Sequence, residues 1–598
     1  MKFRKDIQIL RGIAVLLVVL FHLEIAGFSS GFLGVDVFFV ISGYLMAIIY
    51  DPARTASFFS KRARRLLPAY FVTVIATLLV CVSLTTPNDY GQVATQALFA
   101  TVFASNIGFW LENSYFNKES FKPLLHLWSL GVEIQFYVFV PLLHVIFSRV
   151  RGSFFVILAG SAVLSAIIVG ISPKTAFFWL PCRLWEFLLG YGVARYGLDD
   201  RLRNALPWLG AAALAVILCI PAIPLEGALP GFTRGHPGLA ALVICLATAV
   251  TLAAGLPSVV ANNPVADLLK KLGDFSYSVY LAHFPVIVLF LYRPFSGTVL
   301  TTSSFGQTAV LVLLVAGASA VLFNFVEQPF RAAPHIWRGV FAAAMVTLVV
   351  SEGGAMIQTA LIPEKEMLIA QAWYDRDAYR CGKLNRILHP MAISCEITRP
   401  NSAPAHRVLL VGDSHADAIK SAFAAAAERA HVAVYFMVEN NPLLAGGMTA
   451  ERLVEEARAR RAETIVLHYS APRIDRHAIE KLVGLAKAND LGVAFIMPVP
   501  AWDRHVPKML WQNAKGEGRL STQSLADYLK TNRELLDWLS TIDDRRFKVY
   551  AVADALCHSA CLLVSEAGRP LYFDTAHLTR TGSRMLMPVF DRLMAELP

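Results

Sequence analysis

Charged residues are scarce in this sequence. Only 16% of its 598 residues are Asp, Glu, Lys or Arg, whereas 56% are hydrophobic, and the mean hydropathy is +0.52. Soluble domains carry about 25% charged residues, so this composition excludes a chain that is soluble throughout. The scarcity is confined to residues 1 to about 360, because the rest has an ordinary soluble composition. We predict a polytopic α-helical membrane domain followed by a globular domain.

Metal-ligand spacing and internal repeats are also missing. The 15 histidines are scattered without the spacing of a metal site, so we expect no metal. The lack of an evident repeat disfavours common transporter architectures. The net charge of +10 comes mostly from short loops between apolar segments, so nucleic-acid binding is not needed to explain it.

Eleven apolar segments are long enough to cross a hydrocarbon core of about 30 Å at 1.5 Å per residue. They lie at 7–25, 32–50, 67–86, 124–147, 153–171, 177–195, 206–222, 237–255, 275–293, 306–326 and 339–360. The stretch 92–110 is also apolar, but Asn106 and the polar residues after it favour a re-entrant or surface helix. If this stretch did span, the count would be twelve and every later segment would be reversed.

Basic residues concentrate in alternate loops. One set carries Lys2, Arg4, Lys5, Arg54, Lys61, Arg62, Arg64, Arg65, Arg149, Arg151, Arg201, Arg203, Lys270, Lys271, Arg331 and Arg338. The other set carries little beyond Lys118, Lys122, Lys174 and Arg234. Positive loops stay in the cytoplasm, so we expect a cytoplasmic N-terminus with an uncleaved first segment. Eleven spans then place the C-terminal domain outside the cytoplasm.

The eight cysteines fall into two groups of four. Cys81, Cys182, Cys219 and Cys245 lie in or beside apolar segments, where a thiol acts as a small hydrophobe. Cys381, Cys395, Cys557 and Cys561 lie in the terminal domain, where an oxidising compartment favours two disulfides. The pairing Cys381–Cys395 and Cys557–Cys561 is the simplest of three, and four free thiols are the alternative.

Polar residues interrupt several predicted spans, where they are costly and usually line a cavity or pair with each other. They are Arg11 and His22 in the first span, Ser129, Glu133 and Tyr137 in the fourth, and Arg183 and Glu186 in the sixth. Arg11 and His22 are eleven residues apart, about three helical turns, and so share nearly one face. His22 alone is better explained by a hydrogen bond between helices. Together with Arg11 and Glu133, it could bind an anionic ligand and move a proton.

The N-terminal motifs are similar to those of the acyltransferase family three membrane proteins. They are RGIAVLLVVLFH (11–22), GFLGVDVFFVISGYLM after it, KRARRLLPAYF (61–71), HLWSLGVEIQFY (126–137), DFSYSVYLAHFPV (274–286) and VEQPFR (326–331). The resemblance implies a helical bundle that takes an acyl group, usually acetyl, from cytoplasmic acyl-coenzyme A and delivers it to a carbohydrate outside. It implies that Arg11 and His22 form the arginine–histidine signature and that Glu133 and Tyr137 belong to the fourth-span motif.

A coenzyme A donor fits the charges of the first loops. Arg62, Arg64 and Arg65 lie on the predicted cytoplasmic side, and arginine donates paired hydrogen bonds to phosphate. The same residues could serve only to hold the loop inside. His22 lies deep enough to meet an extended thioester arm, as general base or as transient acyl acceptor.

The segment VLLVGDSHADA (408–418) predicts a strand, a turn at Ser414 and a helix over 416–430. A turn at the carboxyl end of a strand is where open α/β folds place ligands, and the helix N-terminus favours an oxyanion. Asp574, three residues before His577, can orient that imidazole as the base. The alternative for Ser414 is a helix N-cap.

GDSH (412–415) with DxxH (574–577) resembles the SGNH hydrolase fold, a three-layer α/β/α domain, here as an acyl-transferring branch. His415 is expected to be structural. The matching strand region 463–473 lacks the asparagine that completes the oxyanion hole in that family. Asn440 and Asn441, after another predicted strand, are possible substitutes for it.

These observations predict a membrane acyltransferase domain (1–360), a linker or extension (361–402) and an SGNH-like periplasmic domain (403–598). The expected activity is O-acetyl transfer from cytoplasmic acetyl-coenzyme A across the bacterial inner membrane, with Ser414 in the last step. The resemblance implies a surface polysaccharide acceptor, such as lipopolysaccharide O-antigen. An extracytoplasmic esterase and a transporter with a glycan-binding domain remain alternatives.

Overall fold

The structure is a computed structural model. It describes residues 4–112, 120–197, 206–225, 231–382, 385, 388–389, 391–398, 403–439, 442–443 and 447–598. The chain divides into two compact units, Met1–Ala360 and Leu361–Pro598.

All the secondary-structure elements among the described residues of the membrane unit are helices. Its helices are α1 (Lys5–His22), α2 (Gly34–Ile49), α3 (Thr55–Leu84), α4 (Pro87–Thr101), α5 (Ser105–Leu111), α6 (Leu127–Arg149), α7 (Ser153–Ile171), α8 (Pro173–Phe178), α9 (Leu180–Tyr196), α10 (Pro207–Cys219), α11 (Leu239–Ala254), α12 (Ser258–Ala261), α13 (Pro264–Phe290), α14 (Phe305–Val321), α15 (Gln328–Phe330) and α16 (Ile336–Leu361). A π-helical segment, Leu322–Glu327, joins α14 to α15.

Each of the eleven predicted spans coincides with one of these helices, but their lengths and compositions differ. Seven helical segments among the described residues are long and apolar enough to cross a membrane. Helices α10 and α11 are shorter, whereas α1 and α9 carry ionisable side chains. The stretch 92–110 is divided between α4 and α5, two short helices. The chain is therefore a multi-pass membrane protein with seven candidate membrane helices, and the count of eleven stays a prediction.

Helices α1 and α13 pack against each other with their backbones in close approach. A Cβ atom added to Gly12 would lie 2.0 Å from the Leu269 carbonyl oxygen, and one added to Gly273 would lie 1.9 Å from that of Gln8. Small residues permit this closeness between membrane helices. The helices run parallel, because Lys5 pairs with Asp267 near the two N-termini and His22 contacts His283 further along both.

The second unit is built on a mixed six-stranded sheet of order β1-β3-β2-β4-β5-β6, in which only β1 is antiparallel to its neighbour. The strands are β1 (Ser394–Glu396), β2 (His406–Gly412), β3 (Val432–Met437), β4 (Thr464–His468), β5 (Gly492–Ile496) and β6 (Phe547–Tyr550). The helices are α17 (Glu364–Ala370), α18 (Ser414–Arg429), α19 (Ala450–Ala459), α20 (Arg476–Ala488), α21 (Val506–Ala514), α22 (Leu525–Thr531), α23 (Arg533–Ser540), α24 (Ala553–Leu556), α25 (Arg580–Arg584) and α26 (Met587–Ala595).

Strand order reverses beside β2, because the chain leaves β2 for β3 on one side and reaches β4 on the other. Such a switch point opens a crevice at the carboxyl ends of the strands, where open α/β sheets bind ligands. Ser414 follows β2 directly at this point. The fold of the unit is thus an α/β domain that presents Ser414 at the edge of its sheet.

Both predicted disulfides are present, Cys381–Cys395 and Cys557–Cys561. The first joins the segment before β1 to β1 itself. The region 361–402, predicted as a linker or extension, therefore contributes a strand to the sheet. The alternative of four free thiols is wrong.

Candidate functional sites

The end of β2 fixes the backbone that leads into Ser414. A Cβ atom on Gly412 would lie 1.9 Å from the His468 carbonyl oxygen, so only glycine allows β2 and β4 to end this close together. Asp413 caps helix α18, since its side chain accepts the His415 N–H at 2.9 Å. The N-cap is therefore Asp413, and the interpretation of Ser414 as a helix cap is wrong. Ser414 is the first helical residue and is exposed.

The predicted nucleophile and base meet in space. The Ser414 hydroxyl donates to Nε2 of His577 at 2.6 Å, and Nδ1 of that ring donates to Asp574 Oδ2, also at 2.6 Å. The other Asp574 oxygen accepts the backbone N–H groups of Ala576 and His577 at 2.8 and 2.7 Å. This is the arrangement in which an imidazole takes a hydroxyl proton while a carboxylate holds its tautomer.

Electrostatics keep the carboxylate of this triad charged. Burial alone would raise the pKa of Asp574, but the hydrogen bond from His577 and the backbone N–H groups outweigh it and lower that pKa below its usual value. The charged form can then stabilise an imidazolium on His577 during proton transfer.

His415 lies against the base without joining the triad. Its ring is 4.4 Å from that of His577, between centroids, and its side chain is buried. Burial lowers the pKa of His415, and the neighbouring His577 lowers it further, so the ring is neutral at pH 7. A neutral, buried imidazole fits the expected structural role.

The end of β4 supports Asp413 instead of supplying an asparagine. Ser470 donates its N–H at 3.1 Å and its hydroxyl at 2.7 Å to Asp413 Oδ2. Asn440 and Asn441, predicted as substitutes, lie outside the described residues. The backbone N–H of Ser414 at the N-terminus of α18 remains the predicted oxyanion donor.

Sequence reasoning missed the contribution of residues 375–381. Asp377 accepts the N–H of Ser421 at 3.0 Å, its hydroxyl at 2.5 Å and Arg580 Nε at 3.0 Å. Arg380, buried, donates to the Gly412 carbonyl at 3.2 Å, and its backbone N–H donates to Asp417 at 2.9 Å. This segment therefore joins α18, which begins at Ser414, to the loop between His577 and α25. No motif in the sequence marks it.

A narrow cavity of about 70 Å³ in the membrane unit collects most of the predicted donor-side residues. Its lining includes Arg11, Ser42, Arg62, Arg65, Ser129, Glu133, Tyr137, Ser276 and Tyr280. Glu133 accepts hydrogen bonds from the hydroxyls of Ser42 and Tyr137. Arg11 donates to the Ser276 hydroxyl at 2.8 Å. The fourth-span triplet thus faces one cavity, as its spacing of four predicts.

A second cavity, of about 810 Å³, adjoins the first, because Arg11 and Arg65 line both. Its ionisable lining residues are Arg4, Arg11, Lys61, Arg65, Asp274 and Arg331. Five cations facing one carboxylate suit an anionic ligand such as a phosphate. Arg64, predicted to bind the donor, lines neither cavity. It donates to the Pro334 carbonyl oxygen at 3.4 Å.

His22 does not join Arg11 and Glu133, which corrects the predicted set of three. Its Nδ1 lies 3.1 Å from Nε2 of His283, and the ring of His126 is 5.7 Å from that of His283. Tyr280 separates this cluster from the narrow cavity, since its hydroxyl is 2.5 Å from that of Ser129 and its ring packs on both other histidines. His126 and His283 lie within two of the family motifs quoted above. The motifs did not predict that these histidines would lie beside His22.

Arg183 and Glu186 pair with each other, as expected of charges at this depth. Arg183 lies 3.2 Å from Glu186 and 3.2 Å from Asp36, and all three side chains are fully buried. His236 completes the group at 2.7 Å from the guanidinium. Asp36 and His236 were not predicted. Their presence makes this a buried cluster of one guanidinium, two carboxyl groups and one imidazole.

Comparison with known families matches both units. The acyltransferase domain model covers residues 4–328, and the model of the SGNH domain fused to such domains covers residues 380–592. A protein named as a membrane-bound transacylase, BcsY of Komagataeibacter xylinus, is 35% identical over 49% of this chain and 75% of its own length.

Two further relatives are named as O-acetyltransferases. One from Staphylococcus aureus is 29% identical over 62% of this chain and 63% of its own length. The peptidoglycan O-acetyltransferase OatA of Listeria monocytogenes is 28% identical over 55% of this chain and 56% of its own. The chain thus spans less than two thirds of these two relatives. Taken with the helical unit, its cavities and the serine triad, the matches place the chain in the acyltransferase family whose membrane domain is fused to an SGNH domain, and it is a transferase.

Proposed function

We propose that the protein is an O-acetyltransferase that moves an acetyl group from cytoplasmic acetyl-coenzyme A onto hydroxyl groups of a surface polysaccharide such as lipopolysaccharide O-antigen. The observation that carries this proposal is the hydrogen-bonded triad of Ser414, His577 and Asp574. A serine without a base is a poor nucleophile, and this serine has one in place.

The triad supports transfer in two balanced steps. His577 takes the hydroxyl proton of Ser414 as Oγ attacks the acyl carbonyl, and the donor group leaves with that proton. The acceptor hydroxyl then attacks the serine ester while His577 takes its proton. Ser414 Oγ recovers a proton as the ester bond breaks.

The donor side rests on the two adjoining cavities. The second cavity, with its five cationic residues, suits the phosphates of coenzyme A. Arg11, Arg62 and Arg65, which line the narrow cavity, suit the start of its thioester arm. Glu133 is the carboxylate that faces that arm. His22, beyond Tyr280, acts as general base or acyl acceptor.

Helix directions support eleven spans and a C-terminal unit in the periplasm of the inner membrane. Helices α1 and α13 are parallel, and so are α2 and α9, in which Asp36 meets Arg183 and Phe39 stacks on Phe187 one turn later. Parallel membrane helices must differ by an even number of crossings. In the eleven-span count they are spans one and nine, and two and six. A crossing by 92–110 would make both pairs antiparallel, which their contacts oppose.

The two disulfides also favour an oxidising compartment for the terminal unit.

The test measures surface glycan in cells that lack the protein and are complemented with variants. We expect O-acetyl groups on the polysaccharide with the wild type but not with Ser414→Ala. The control is Ser540→Ala, which changes an exposed serine at the end of α23 and should match the wild type. Acetyl content that rises when the protein is absent would indicate an esterase. Unchanged acetyl content in every strain would refute the proposal.

A further inference from the structure

Three imidazoles from three helical segments meet inside the membrane unit. His22 ends α1, His283 lies within α13, and His126 precedes α6. They are 7%, 0% and 2% exposed, respectively. The centroid of the His283 ring is 5.1 Å from that of His22 and 5.7 Å from that of His126. His283 is therefore the central ring of the cluster.

The proton on His283 is fixed by its own helix. Its Nδ1 lies 2.7 Å from the carbonyl oxygen of Tyr280 and 3.2 Å from that of Val279. A carbonyl oxygen only accepts hydrogen bonds, so Nδ1 must carry the proton. In a neutral imidazole the other nitrogen then has a free lone pair. Nε2 of His283 is therefore an acceptor.

This acceptor determines the tautomer of His22. Nε2 of His283 faces Nδ1 of His22 at 3.1 Å, so Nδ1 of His22 must be the donor. The lone pair of neutral His22 then lies on Nε2. The close parallel packing of α1 on α13 through Gly12 and Gly273 holds the two rings in this relation.

We propose that His283 is a positioning residue that keeps His22 in the Nδ1–H tautomer, with Nε2 as its reactive nitrogen. The inference rests on the proposed function, in which His22 is a general base or an acyl acceptor. As a base, Nε2 takes the proton of a hydroxyl group as its oxygen attacks the thioester carbonyl. The C–S bond then breaks, and the departing thiolate takes that proton from His22. As an acceptor, Nε2 attacks the thioester carbonyl and the C–S bond breaks, releasing the thiolate. In both cases His22 becomes positively charged while its Nδ1–H still donates to Nε2 of His283. This hydrogen bond stabilises the positive charge.

The direct test is the tautomer itself. The full-length protein, labelled with ¹⁵N-histidine in detergent, gives ring nitrogen signals, and those of His22 are identified by their loss in His22→Gln. We expect a protonated Nδ1 and an unprotonated Nε2 for His22, and a mixture of tautomers in His283→Phe. A protonated Nε2 on His22 in the wild type would overturn the proposal, whatever the behaviour of His283→Phe.

The second test uses acetyl transfer. Glutamine can present an oxygen where Nε2 of His283 lies, so His283→Gln should retain most activity. His283→Phe has no acceptor and should lose about 10–100-fold in activity, as is typical when the hydrogen-bond partner that orients a metal-ligating histidine is removed. The exposed His335 supplies the control His335→Phe, which should match the wild type.

The outcomes separate this inference from the proposed function. Full activity in His22→Ala would remove the proposed role of His22, whereas the tautomer assignment would still be tested by the ring signals. An inactive His22→Ala beside a fully active His283→Phe would refute the positioning role alone. Equal losses in His283→Gln and His283→Phe would also contradict it, because the acceptor would then make no difference.

Discussion

Asp413 is the residue on which the geometry around Ser414 depends. Its carboxylate holds the N-terminus of α18 through the His415 N–H and the end of β4 through Ser470. Burial alone would raise the pKa of Asp413, but its electrostatic interaction with the adjacent His415 ring and these hydrogen bonds lower it. Asp413, between β2 and Ser414, therefore has a structural role, because it joins α18 to the end of β4. The carboxylate that contacts His577 belongs to Asp574.

The neutral His415 predicts acid sensitivity of the terminal unit. Its pKa is lowered in the folded state, so its contribution to stability is complete above its unfolded pKa of about 6.5 and is lost as pH falls below that value. Asp574 differs, because its lowered pKa adds stability above about pH 4 that is lost only at lower pH.

Urea unfolding of residues 361–598, expressed alone, at several pH values tests this. The free energy of unfolding should fall between pH 6.5 and 4.5, by at most about 1.4 kcal/mol per pH unit for each proton taken up. The slope should be smaller in His415→Phe and unchanged in His477→Phe, since His477 is exposed. An identical slope in wild type and His415→Phe would contradict the account.

Between elements, the site depends on contacts that join α18 to the loop after His577. Asp377 is the main link, since its nearly buried carboxylate binds Ser421 of α18 and Arg580 of α25. His577 is three residues before Arg580, so we expect this link to position His577 relative to Ser414.

We expect Asp377→Ala to reduce acetyl transfer and to lower stability by about 1.5–3 kcal/mol, the usual worth of hydrogen bonds to a charged group. The matched control is Asp591→Asn, which breaks an exposed ion pair with Arg429 and should cost at most about 1 kcal/mol. Glycan acetylation and thermal unfolding of both variants give the comparison. Wild-type activity in a folded Asp377→Ala protein would show that the link does not position the base.

Periodicity and motifs predicted the helices, the strand before Ser414 and the pairing of Ser414 with His577, because these depend on local patterns and on one spacing. They did not predict Asp377, Asp36 or His283. Such residues acquire their partners only when separate helices pack, and a single sequence does not state which faces meet. Nor did they predict that Arg64 lies outside the lining of both cavities while the adjacent Arg65 lines them, since successive residues on one helix point in different directions.

For the whole molecule, the account requires that the terminal unit lies on the side of the membrane opposite the cytoplasm. A reporter active only in the cytoplasm should stay silent when fused after Pro598 and give a signal when fused after Arg151, in a positive loop. These outcomes follow from eleven crossings and the loop charges. A strong signal after Pro598 would mean an even number of crossings and would place the triad beside the cytoplasmic donor.

The most direct measurement of the central claim is the mass of the peptide that contains Ser414. The purified protein is supplied with acetyl-coenzyme A and no acceptor, trapped with acid and digested. We predict an added acetyl mass on that peptide in the wild type and none in Ser414→Ala. His577→Ala should abolish it nearly as well, and the double variant should be little worse than either single one, because residues that act as one unit are not additive. Full acetyl transfer to polysaccharide by Ser414→Ala, with no acetyl mass on the wild-type peptide, would contradict the account.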